Sequence, residues 1–145
     1  MDLARLAILL AAALAAPPAP TVMQIHRDAI VVDLHADTLL DLAAGRRTLA
    51  GSSRGHVDLP RLRQGGVDVQ VFAAFIHPRE AAQGRARVRA LITAFHRAID
   101  QHAGEISHAR TVGEIETAVA AGKIAAVLAI ENGGDAIQGE VEQID

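Results

Sequence analysis

The sequence has no cysteine, tryptophan or tyrosine, and its three phenylalanines leave it only 2% aromatic. Without cysteine there are no disulfides, thiolate zinc ligands, cysteine nucleophiles or lipidated cysteines. So few aromatic rings cannot build a base-stacking platform. An excess of positive charge is missing too: 14 Lys and Arg against 17 Asp and Glu give a formal net charge of −3, so nothing draws the chain to nucleic acid. A P-loop is absent, since Asn132-Gly-Gly134 has neither the spacing nor the lysine. There is no Gly-x-Ser-x-Gly elbow, and Ser52, Ser53 and Ser107 have no evident base partner. What remains is a chain of 145 residues, 50% hydrophobic, far from a disordered composition and about one domain long. Its chemistry must come from histidine, carboxylates, Ser/Thr hydroxyls or a metal.

Residues 1–19 read as a leader outside the fold. Leu6 to Ala16 is an unbroken apolar run, stopped by Pro17, Pro18 and Pro20. It is too short to cross a hydrocarbon core, which needs about twenty apolar residues. Small residues at Ala13, Ala15 and Ala16 suit a signal-peptidase site. The reading is a signal peptide, with export to the periplasm in a bacterium and no stable membrane span once it is removed. A plain Ala/Pro leader is the alternative.

From residue 22 to residue 145 the pattern alternates between strands and helices. Ala29–Leu34, Val67–Ile76 and Lys123–Ile130 are short apolar runs suited to buried strands. Between them, Asp58 can cap a short helix with Pro60 in its first turn and Gly65-Gly66 at its end. A long helix is predicted from about Glu80 to His102, with Val88, Leu91, Ile92, Phe95 and Ile99 on one face. Thr111 and Glu114 form a capping box for a helix closing near Gly122. After the Asn132-Gly-Gly134 turn, Asp135 starts a helix in which Ile137, Val141 and Ile144 share a face, still running at Asp145. Strands separated by helices predict an α/β fold with right-handed crossovers and a parallel sheet. About three βα units are present, and a (β/α)8 TIM-like barrel needs about 250 residues. The chain therefore reads as the N-terminal part of something larger, with a small three-stranded domain as the alternative.

In parallel α/β folds, ligands and catalysis sit at the carboxyl ends of the strands. The first strand ends Asp33-Leu-His35-Ala-Asp37, and alternation puts His35 and Asp37 on one side. An imidazole and a carboxylate so placed suit a divalent ion such as zinc. The third strand ends at Glu131, which faces the same mouth if the strands are parallel and adjacent. Helix capping also accounts for Asp37 and Glu131 individually. The remaining candidates have ordinary explanations. His56 is a loop residue, Asp58 a cap, and His77 a loop entry that could line the same mouth. His96, His102 and His108 fall near the polar face of the long helix, and Arg85, Arg87, Arg89 and Arg97 read as its solvated side.

Three segments occur in order: Val31-Val-Asp-Leu-His-Ala-Asp-Thr38, Gly55-His-Val-Asp-Leu-Pro-Arg-Leu-Arg-Gln-Gly-Gly-Val67 and Ala129-Ile-Glu-Asn-Gly-Gly134. Together they resemble the membrane (renal) dipeptidase family of zinc metallopeptidases, in its bacterial branch. The resemblance runs from about Gln24 to the C-terminus. It implies the first part of a (β/α)8 metallo-dependent hydrolase barrel with two Zn2+ ions per complete active site. His35 and Asp37 would then ligate the first zinc, and Glu131 would bridge both. It implies zinc-dependent hydrolysis of dipeptides, and a homodimer as the assembly, since the family is often dimeric. Asn132 departs from the glycine usual after the bridging glutamate, although asparagine tolerates left-handed backbone. The family takes two further histidines and a catalytic aspartate from later strands, and no residue of this chain matches them. The expectation is therefore weak metal binding and no dipeptidase activity for the isolated chain. An exported, non-catalytic remnant or binding domain is the alternative. A relative using a carboxylated lysine fits less well, because Lys123 lies at the wrong end of its strand.

Overall fold

A computed structural model describes residues 19–51 and 53–140. The leader read in residues 1–19 therefore lies almost wholly outside the described residues, as does the Val141 and Ile144 part of the last helix. No described helix is long and apolar enough to cross a membrane.

Four parallel strands form one sheet in the order β1-β2-β4-β3. Strand β1 is Val32–Ala36, β2 is Val69–Phe75, β3 is Ile106–His108 and β4 is Ile124–Glu131. The helices are α1 (Val22–Asp28), α2 (Thr38–Ala43), α3 (Leu59–Gln64), α4 (Gly84–Gln101), α5 (Val112–Ala120) and α6 (Gly133–Ile137). The parallel α/β architecture is compatible with part of a TIM-like barrel, in which β1, β2 and β4 are successive staves.

β3 was not foreseen: three residues are too few to show a strand pattern. It pairs only with Ile124–Ala126 of β4, so the far edge of Val127–Glu131 has no partner among the described residues. Because β3 lies beyond β4, the chain reverses direction across the sheet on returning to β4. A right-handed crossover then sends the intervening helix to the other face. The cores bear this out. Phe72, Ala74 and Ile76 of β2 and its exit pack with Leu39, Leu42, Leu91 and Phe95 of α2 and α4. Val69 and Ala125, on the opposite face, pack with Ala109 and with Ala118 of α5. Phe72 and Phe95 meet edge-on at 5.8 Å between centroids.

Three other boundaries differ from the sequence expectation. The first strand begins at Val32, not Ala29, because Thr21 and Gln24 form a capping box for α1 and Ala29 closes that helix. The long helix starts as a 3-10 turn over Pro78–Gln83 and becomes α-helical only at Gly84. At Gly84 the helix meets the backbone of Asp135 so closely that a Cβ would collide with its carbonyl. The last helix runs from Gly133 and stops at Ile137, where Gln138 and Gly139 take φ of 51° and 80°. It therefore starts two residues before Asp135, with Asn132 in the N-cap position and no side-chain cap.

Candidate metal centre

His35, Asp37 and Glu131 converge at the carboxyl end of the sheet, and one donor atom from each lies within 4.8 Å of the others. They are the one group of three potential metal donors found among the described residues. A register irregularity in β1 sets the histidine. Asp33 pairs with Gln70 and Ala36 with Phe72, so Leu34 and His35 together stand opposite Val71 alone. Such a bulge re-aims a side chain at a sheet rim. Asp33 steadies it by accepting the His35 N–H at 3.1 Å.

Asp37 occupies the N-cap position of α2, yet its carboxylate caps no backbone N–H. The capping explanation offered by the sequence therefore does not use its oxygens. Glu131 is the last residue of β4, opposite Phe75, and likewise is not the cap of α6. Asn132 follows in left-handed backbone, φ 60° and ψ 44°, and its Nδ2 donates to the Ile76 carbonyl at 2.8 Å. The Ile76 N–H donates in turn to the Glu131 carbonyl at 3.3 Å. These two bonds tie the ends of β2 and β4 together directly behind the carboxylate.

His35 Nε2 stands 3.2 Å from Glu131 Oε2 and 3.5 Å from Asp37 Oδ1. Zinc holds nitrogen and oxygen at about 2.0–2.2 Å, so two ligands on a tetrahedron's edge are about 3.3–3.5 Å apart. The spacings thus fit a shared ion, and the mixed imidazole and carboxylate donors fit zinc's preferences. All three side chains are about half exposed, which leaves their lone pairs open to an ion from solvent.

The other sequence candidates lie elsewhere. Asp58 is buried and caps α3, accepting from the Arg61 backbone at 3.0 Å and its Nε at 2.8 Å. His56 is exposed in the preceding loop. His77 caps the 3-10 turn, its Nδ1 accepting from the Arg79 N–H at 3.1 Å, and does not join the cluster. His102 is half-buried, 3.9 Å from a Glu105 carboxylate oxygen. Two readings need correction. His108 is not a solvated helix-side residue: it sits on β3, partly buried, with its ring edge-on to Phe95 at 5.0 Å and to His96 at 5.3 Å. Burial holds its pKa below the ordinary value, with the neighbouring His96 and Arg110 acting in the same direction and Glu114 against. Arg85 and Arg87 are not a free solvated face either. Arg85 donates a hydrogen bond to Glu140 at 2.8 Å, and Arg87 forms an ion pair with Glu80 at 3.2 Å. Sequence reasoning missed Asp33 and Asn132 as positioning residues; the cue lay in polar side chains flanking His35 and Glu131 in otherwise apolar strand ends.

Among solved structures, the chain is similar to the dipeptidase AC, a metallopeptidase of family M19, with 25% identity and a TM-score of 0.66 over 74% of this chain and 36% of that one. It is similar to a metallopeptidase from Rhodobacter sphaeroides liganded with a phosphinate mimic of the dipeptide L-Ala-D-Ala, with 25% identity and a TM-score of 0.64 over 74% of this chain and 39% of that one. It also shares its fold with the probable dipeptidase PvdM from Pseudomonas aeruginosa, at 15% identity and a TM-score of 0.76 over 85% of this chain and 33% of that one. The chain thus spans between 33% and 39% of the length of these structures. No curated protein sequence matches it. The family model of the membrane dipeptidases, peptidase family M19, matches residues 20–145, and the chain belongs to that family.

Proposed function

We infer that this chain supplies the first metal ligands of a zinc-dependent dipeptidase, and that a protein of its neighbours' length hydrolyses dipeptides. The convergence of His35, Asp37 and Glu131 carries the reading. In it, His35 and Asp37 would hold a zinc ion, with Glu131 as a further carboxylate ligand at the same rim. Bound zinc supplies an acidified water and a polarised scissile carbonyl. The chain's own part is to fix the donors. The β1 bulge aims the imidazole, the free N-cap carboxylate of Asp37 stands beside it, and the Asn132–Ile76 bond keeps Glu131 in register. Negative charge from both carboxylates balances part of the charge of the ion they hold. A dipeptide substrate, such as the L-Ala-D-Ala mimicked in the Rhodobacter sphaeroides neighbour, fits the family. The leader in residues 1–19 directs the protein to the periplasm in this reading.

Zinc titration of the chelator-treated chain, followed by thermal unfolding, tests the ligand set. A rise in Tm that saturates with zinc is expected for the wild type, and none for His35→Ala, which is too exposed to unfold the domain by itself. Equal behaviour of the two chains refutes the ligand assignment. The 145-residue chain is expected to bind zinc weakly and to turn over no dipeptide; measured turnover would show that three donors suffice.

A further inference from the structure

β2 lies between β1 and β4, so its carboxyl end stands between the two strand ends that carry the proposed metal donors. Phe72, Ala74 and Ile76 enter the main core, which turns Val71, Ala73 and Phe75 to the opposite face. On β4, Ala126 and Leu128 pack in that core, while Ala125 and Val127 belong to the smaller one. Alternation then puts Glu131 on the face of Phe75, and the two residues are register partners. The Phe75 residue is partly exposed, an apolar patch beside the Glu131 carboxylate.

His77 borders the same patch. Its ring meets the Phe75 ring edge-on, with 6.1 Å between centroids and 67° between planes, and the residue is exposed. It supplies no donor to the His35 group. Its Nδ1 accepts the Arg79 N–H at 3.1 Å, so that nitrogen carries the lone pair. In the neutral ring the proton then sits on Nε2. Among the described residues nothing accepts from this Nε2–H. The turn thus holds one donor, in a fixed tautomer, at the edge of an apolar ring whose strand neighbour is Glu131.

We propose that His77 is a specificity-determining residue of the dipeptidase site. One substrate side chain lies over Phe75, and an oxygen at its end accepts the His77 Nε2–H. The site therefore favours dipeptides whose side chain ends in an oxygen acceptor, such as glutamine, over apolar side chains of the same length. Water competes for an exposed donor, which keeps the preference modest. The inference rests on the zinc dipeptidase reading, whose ligands are other residues and which the zinc titration tests by itself.

The test is NMR on the full 145-residue chain saturated with zinc. Since this chain is expected to turn over no dipeptide, unmodified dipeptides serve as probes. At mildly alkaline pH, ring nitrogen spectra should show His77 protonated at Nε2 and not at Nδ1. Affinities for Gln-Ala, Ala-Gln, Met-Ala and Ala-Met are then read from the amide shifts of Phe75 and Glu131. In one of the two positions glutamine should bind about fivefold more tightly than methionine, the size of one exposed hydrogen bond. His77→Phe keeps a ring against Phe75 and should bring that ratio to about one. His77→Asn can both accept from the Arg79 N–H and donate, and should retain the preference. A proton on Nδ1, no saturable binding, equal affinities in the wild type, or a preference that survives His77→Phe overturns the assignment. Where zinc raises the Tm of the wild type and not of His35→Ala, such a result counts against His77 alone. Where zinc has no such effect, the dipeptidase reading itself fails.

Discussion

Asn132 holds left-handed backbone at φ 60°, a conformation that costs most side chains about 1–2 kcal/mol and glycine almost nothing. It offsets that cost by donating to Ile76 across the strand ends. Asn132→Gly exchanges one advantage for the other, so its stability should stay within about 1 kcal/mol of wild type. Asn132→Val keeps neither, and should lose about 2 kcal/mol or more in urea unfolding. Zinc affinity should fall in both variants, since each frees the turn behind Glu131. His108 gives a residue-scale pH prediction. Its folded pKa lies below the ordinary 6.5, so the unfolded chain binds the proton more readily. Stability therefore rises with pH; this contribution is whole above 6.5 and is lost as the pH falls through the lower folded value. Urea midpoints at mildly acidic and neutral pH should differ more for wild type than for His108→Gln.

At the scale of elements, the contact between α4 and α6 decides where the long helix begins. Gly84→Ala puts a methyl into the Asp135 carbonyl, and backbone cannot move aside as a side chain can. The substitution should cost about 1–3 kcal/mol, although alanine is the better helix former. A denaturant midpoint equal to wild type would show that α6 simply shifts. Helix propensity alone misplaces this boundary, because the periodicity of Val88, Leu91 and Phe95 carries no information about what packs on Gly84. The β2 and β4 strands were legible from their apolar runs, and α3 and α5 from their caps at Asp58 and Thr111. α1, which buries no residue, was not foreseen, and its local signal is the Thr21–Gln24 capping box. The convergence of His35, Asp37 and Glu131 was legible from strand ends alone, but the bulge that aims His35 was not. It arises from pairing with β2, which no local pattern records.

For the molecule as a whole, two faces of one sheet do different work. One carries the main core under α2 and α4, while on the other face Ala118 of α5 packs with Val69 and Ala125. Above α5 that second face rises through Val71, Phe75 and Val127, all partly exposed, to the His35 and Glu131 rim. Short β3 leaves the upper edge of β4 able to accept another strand, beside the rim where the donors stand. His35 and Asp37 come from the first strand and its exit, and Glu131 from the last strand described. In the proposed reading, an ion held by all three would fasten β1 to β4 across β2. In a polypeptide with no cysteine, that fastening would be the nearest thing to a cross-link, and its strength would depend on the supply of metal around the protein.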